Sequence, residues 1–183
     1  MIVANPLRFE LNAGEPPAHE SCYNPRKYMD KQQLLETWNI DNRIDLYLLD
    51  AIPAEQLGDT MTSKGRAAGE QFAHIHNVRL MWLKAAAPDL LVGQTKIEKN
   101  ESSDKEFLAV RLEESGEAIG KLIEQAVDNG GKVKGFKPHV TAFVGYLIAH
   151  DAHHRSQAII ALKQGGHPLD KKILYGIWEW GSR

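Results

Sequence analysis

Residues 146–165, YLIAHDAHHRSQAIIALKQG, decide how the rest of the chain is read. The stretch has the pattern of a long amphipathic helix, and it carries His150, His153 and His154. On an α-helix, side chains four apart lie one above the other. His150 and His154 therefore share a face with Phe143, Leu147, Ala158 and Ala161, and two imidazoles interrupt an apolar stripe. His153 is turned roughly 100° from His154. Two imidazoles aimed at one point are what a metal ion needs. The same spacing also suits a solvated polar patch, or histidines bonded to buried carbonyls, so spacing alone leaves these readings open.

Upstream, residues 66–87 (RAAGEQFAHIHNVRLMWLKAAA) predict a second helix that stops at Pro88. One face runs Ala67, Gln71, His74, Val78, Met81 and Ala85, with Trp82 beside it. The second half is apolar nearly all round, which predicts burial between neighbours. His76 falls on another face, with Ala73, Leu80 and Leu83. Glu70 stands four residues before His74, where it either orients that ring or remains a solvated carboxylate.

A first helix is expected from Asp30, an N-cap with Gln33 three residues on. Its apolar stripe is Leu35, Trp38, Asn42, Leu46 and Leu49, and Pro53 closes it. Asn42, polar in mid-stripe, reads as a contact near a site or as a core amide bonded to a neighbouring helix. A third helix follows Ser103 and Glu106, read as a capping box, and shows Leu108, Leu112, Ser115, Ile119, Leu122 and Ala126 on one face. No titratable group lies on that stripe, so it is scaffold. Asn129, Gly130 and Gly131 end it, and Pro138 sits near the first turn of the fourth helix.

Four amphipathic helices in 183 residues predict an all-α four-helix bundle forming a single domain. Residues 1–25 hold Pro6, Pro16, Pro17 and Pro25 and read as an irregular leader without chemistry, Cys22 being an unreactive thiol. The aromatic C-terminal tail, with Tyr175, Ile177, Trp178 and Trp180, must pack on a bundle face, a pocket mouth or a second subunit. A net charge of -2 without a cluster of basic and aromatic residues argues against a nucleic-acid partner. No run approaches the roughly 18 apolar residues of a membrane span, and a single cysteine suits a reducing compartment. The expected location is cytoplasmic.

Bundles build metal sites between facing helices. One histidine from the second helix and the pair from the fourth would make a three-histidine site with positions left for water or substrate, the pattern of a catalytic metal. Neutral imidazoles suit zinc, nickel, iron or copper. The sequence HDAHH is also H-E-x-x-H with Asp151 in place of Glu, a weaker reading as a metal-dependent hydrolase because Asp is one methylene shorter.

FAHIHNVR at 72–79, HDAHHRSQ at 150–157 and YGIWEWG at 175–181 together resemble the DinB/YfiT-like family of bacterial proteins, over roughly residues 30–183. The resemblance implies an up-down-down-up bundle, often dimeric, with a divalent metal on His74, His150 and His154. It leaves His76 and His153 as polar neighbours rather than ligands. The sequence departs from the pattern at Ser156, where the family often has Gly, and so tests helix packing there. Relatives of known activity include metal-dependent transferases and isomerases that use low-molecular-weight thiols. The resemblance thus implies a zinc or nickel enzyme, iron being next, that transfers a small thiol to an electrophile. The other class of function is a bundle that holds a metal or small ligand without turnover. Glu70, Asn42 and Asp151 are the polar groups expected near the metal, and the aromatic tail is a candidate cover for its mouth.

Overall fold

The computed structural model describes residues 31–183, and the expected leader, Cys22 and the Asp30 cap lie outside them. Four long helices carry the fold: α1 (Lys31–Ala51), α2 (Ala68–Ala86), α3 (Lys105–Asp128) and α4 (Val140–Gln164). A short α5 (Lys171–Gly176) follows, and no strand occurs among the described residues. The ends show local chemistry that the sequence reading placed a residue or two away. The α3 cap is Asp104, which accepts from the Phe107 amide at 2.9 Å, rather than Ser103. The α4 cap is His139, whose Nδ1 accepts from the Ala142 amide at 3.2 Å, with Pro138 just outside the helix.

Contacts along the helices fix their directions. Lys31 of α1 meets Asp128 at the far end of α3, while Lys105 reaches the Asp50 carbonyl, so α1 and α3 are antiparallel. His76 and Arg79 of α2 bond the Arg111 and Leu112 carbonyls in the same order along α3, so that pair is parallel. Gln71 lies by His154 and Trp82 by Phe143, which makes α2 and α4 antiparallel. The bundle is therefore up-down-down-up, with α1 and α2 on opposite corners.

Burial of the apolar stripes holds the bundle together, each fully buried Leu, Ile or Phe contributing about 1.5–3 kcal/mol. The α3 stripe, Leu108 to Ala126, is buried at every predicted position. The α1 stripe is rotated from expectation. Leu34, Trp38, Asp41, Asp45 and Leu48 face inward, while Leu35, Asn42 and Leu46 are only half-buried. The α2 face also departs from expectation in its second half, where Met81 and Ala85 are exposed.

The apolar core is split into two clusters. One holds Trp38, Leu83, Ile119, Leu122, Phe143 and Leu147; the other holds Leu48, Ile52, Phe72, Leu108, Leu112 and Leu162. Asp41, Asp45, Arg79, Asp151 and Arg155, all buried, form a polar belt between them.

The C-terminal tail packs on α1 and α4. The Arg183 guanidinium lies 3.6 Å from the centre of the Tyr47 ring and donates to the Gly176 carbonyl, and Arg43 donates to the Arg183 carbonyl at 2.8 Å. Ile177, Trp178 and Trp180 close a crevice over Ile148, Ala152 and Ile159 of α4. Those α4 positions lie on the side of the helix away from His150 and His154, so the tail does not cover the histidines. Ser156 is exposed there and donates to the Ala152 carbonyl at 2.9 Å, which accommodates Ser in place of Gly. No described helix is long and apolar enough to cross a membrane.

Candidate metal centre

His74 of α2 and the His150/His154 pair of α4 meet where these antiparallel helices pack. The ring centres of His150 and His154 are 4.5 Å apart; that of His74 lies 4.5 Å from His154 and 5.4 Å from His150. One nitrogen from each ring falls within 4.8 Å of the other two. Three atoms so placed share a point within about 2.8 Å of each, and small ring rotations would close that to the roughly 2.0–2.1 Å of a metal–imidazole bond.

Hydrogen bonds fix which nitrogen faces inward. His150 Nδ1–H donates to Asp151 Oδ1 at 2.9 Å, and His154 Nδ1–H donates to Gln71 Oε1 at 2.7 Å. Both rings then present an Nε2 lone pair, the arrangement in which outer partners set the tautomer and raise ligand basicity. Burial, with Arg66 and His150 nearby, pushes His74 below the usual histidine range. Burial and the neighbouring histidines push His154 down to about 3. Both rings are neutral at ordinary pH, as ligands must be. This donor set fits a divalent ion of the zinc, nickel or iron type.

Behind the histidines stands a network that the sequence reading missed. Arg79, fully buried, donates to Asp151 Oδ2 at 2.8 Å, Asp45 Oδ2 at 2.6 Å, Asn42 Oδ1 at 2.7 Å and the Leu112 carbonyl at 3.1 Å. Its guanidinium carbon also lies 4.8 Å from the Trp38 ring centre. Arg155 continues the chain to Asp45 at 2.5 Å and Asp41 at 2.7 Å. Burial tends to raise Asp151, but Arg79 and the His150 bond outweigh it and hold the carboxyl below its ordinary value. Burial, reinforced by Asp45, pushes Asp41 up to about 8, and its Oδ2 has no hydrogen-bond partner. Asp41, Asp45 and Asp151 bring oxygens as close together as a cation site does. The two guanidiniums already occupy the space between them, so this cluster is an ion-pair network.

The polar groups expected near the metal separate accordingly. Asp151 bonds a site histidine, with one oxygen on His150 and the other on Arg79; neither is free to act as the base of a hydrolase. Asn42 is a core amide that holds Arg79, and it leaves no room for a Cβ at Gly116 of α3. Glu70 does not orient His74. It accepts from the Ala67 amide at 2.8 Å and pairs with Lys99 at 3.0 Å, tying the start of α2 to the following loop.

The two spare histidines are not part of the three-nitrogen cluster, although the His153 ring meets that of His154 edge-on with centres 5.0 Å apart. His153 is exposed and meets Gln157 at 2.6 Å. His76 is buried, with its ring nitrogens 2.8 and 2.9 Å from the Arg111 and Thr95 carbonyls.

The site opens beside His74 onto a groove of about 610 Å³, bordered by residues 65–66 and the loop 96–102. On its other side the half-exposed Tyr146 ring lies 6.3 Å from that of His150 and packs against Trp82 and Phe136. No curated protein and no solved structure matches the chain. A profile of the DinB family matches residues 24–176, which include all four long helices and the three histidines. The chain belongs to the DinB family.

Proposed function

We propose that this chain is a divalent-metal-dependent enzyme that transfers a low-molecular-weight thiol to an electrophilic substrate. The observation that supports this best is the convergence of His74, His150 and His154 beside a groove open to solvent, with His150 and His154 oriented by bonds from behind. Zinc or nickel suits such a set, and three neutral ligands leave the ion its full charge. When bound, the ion supplies a Lewis acid that lowers the pKa of a coordinating thiol toward neutrality.

In this reading the protein's own groups position the reactants. The three rings would hold the ion, and the Asp151 and Gln71 bonds keep His150 and His154 from turning away. The Tyr146–Trp82 wall offers an apolar surface to the electrophile. The thiol proton passes to solvent, sulfur forms a bond to the electrophilic carbon, and the leaving group departs with its bonding pair.

The test is a panel of small thiols against model electrophiles, comparing metal-free, zinc-loaded and nickel-loaded protein. Turnover should require the metal and be lost in His150→Ala that remains folded. Equal rates with and without metal across the panel would instead favour a bundle that binds metal without turnover.

A further inference from the structure

The groove beside His74 has a charge balance of its own. Five charged side chains border it: Arg66, Glu70, Lys96, Glu98 and Lys99. Lys99 pairs with Glu70 at 3.0 Å, and Lys96 with Glu98 at 3.1 Å. Glu70 is further committed to the Ala67 amide. Arg66 remains, an exposed guanidinium with no ion pair among the described residues. It stands just ahead of the Ala67 cap of α2 and lines the same groove as His74.

The other polar groups of the groove are occupied. Asn77 is clamped to Ile97 by two 2.9 Å bonds, and Ser102 Oγ donates to the Lys99 carbonyl. The first amides of α2 are satisfied as well, Ala68 by the Asp59 carbonyl and Gly69 by the Leu57 carbonyl. Among the five charged groups of this groove, Arg66 alone has no ion pair, and its guanidinium is a planar donor matched to carboxylates.

We propose that Arg66 forms an anion subsite beside the three histidines, so that the substrate reacting there carries a carboxylate or a similar anionic group. The proposal rests on the metal-dependent thiol reading above for the reacting end of the substrate. The anionic end docks on Arg66 while the reactive end points at the histidines. An exposed ion pair contributes little, so the gain expected from Arg66 is modest.

The test uses cobalt-loaded protein titrated with mercaptoalkanoates of two to six carbons and with the matching mercaptoalkanols, followed by the cobalt absorption bands. Comparing each acid with its alcohol at every length separates the subsite from simple chelation of the ion, which is confined to the shortest acids. The longer acids should bind about fivefold more tightly than their alcohols. Arg66→Ala should abolish that difference, and Arg66→Lys should retain part of it. Equal binding of acids and alcohols, or a difference that survives in Arg66→Ala, would overturn the subsite. A second arm titrates metal-free protein with glutarate or 1,5-pentanediol and follows the His74 ring and residues 65–66 by NMR. Saturable shifts with glutarate alone, lost in Arg66→Ala, support the subsite; identical responses to both compounds overturn it. If no thiol perturbs the cobalt bands, the thiol reading fails, and the glutarate arm still decides the anion subsite.

Discussion

Asp151→Asn tests whether the buried network serves the metal centre. Asp151 is fully buried, with Oδ1 accepting from His150 at 2.9 Å and Oδ2 from Arg79 at 2.8 Å. Asparagine keeps the shape, and its carbonyl can still accept from His150. It removes the negative charge behind the ring and turns an amide donor toward the Arg79 donor. Loss of such an outer partner costs about 10–100-fold in metal affinity, or about 1.4–2.7 kcal/mol. The fold should survive, because Arg79 keeps Asp45, Asn42 and the Leu112 carbonyl. The unmatched donor should cost about 1–3 kcal/mol of stability.

The assay is competition for zinc with a chromophoric chelator, alongside thermal unfolding of the metal-free protein. Asp45→Asn is the control, since Asp45 bonds Arg79 and Arg155 but none of the three histidines. It should lower stability while leaving zinc affinity within about threefold, a change below about 0.7 kcal/mol. The reasoning is refuted if folded Asp151→Asn binds zinc within threefold of wild type, or if Asp45→Asn loses as much affinity as Asp151→Asn.

Replacing His74, His150 or His154 by Ala should each weaken zinc binding by more than about 100-fold (about 2.7 kcal/mol), measured by titration calorimetry. His153→Ala should leave it unchanged, because that ring, though it touches His154 edge-on, bonds Gln157 and places no nitrogen among the three that converge. Chelation should leave the far-ultraviolet dichroism near native, since the apolar clusters do not include the histidines, but should lower the Tm. An ion at a thousandfold excess over Kd contributes about 4 kcal/mol. Asp41 has a folded pKa of about 8 against an ordinary 3.8, so the folded state keeps a proton that the unfolded chain releases, and this group lowers stability as pH rises from about 4 to 8. His154, down to about 3 from 6.5, acts in the opposite sense, but only below pH 6.5; metal-free protein should therefore lose stability between pH 6.5 and 8, and Asp41→Asn should flatten that slope in urea titrations.

The fold was legible where burial and polarity agree. Every position of the α3 stripe is apolar or Ser, and all are buried. The His150/His154 spacing marked the inward face of α4 correctly because the rings fall in line with Phe143, Leu147 and Ala158. The α1 face was misread by one position. Leu34, Trp38, Asp41, Asp45 and Leu48 recur at gaps of 4, 3, 4 and 3, as regular as the stripe chosen, but two members are carboxylates, which are almost never fully buried unless paired. Their partners, Arg79 and Arg155, lie 34 and 110 residues from Asp45, and no helical period relates positions on different helices. An available signal was that both arginines sit within five residues of a site histidine, in FAHIHNVR and HHRSQ. The groove was not legible, because it is formed by loops that converge only in the folded chain.

Charge balance gives a physical reason for burying this network. With every carboxyl ionised, Asp41, Asp45 and Asp151 against Arg79 and Arg155 leave one negative charge in excess. The raised Asp41 takes up a proton near neutral pH and brings the sum to zero. Three imidazole ligands would offer a divalent ion no counter-charge of their own. Asp151 supplies one at a distance, through the His150 ring, while Arg79 holds it in place and below its ordinary pKa. A carboxylate bound directly to the ion would neutralise it and fill a position that a substrate needs. Placed one ring away, the same charge would support the ligand without taking up a position on a bound ion. A buried pair does little for stability compared with apolar packing, so a network that separates two apolar clusters is not accounted for by stability alone.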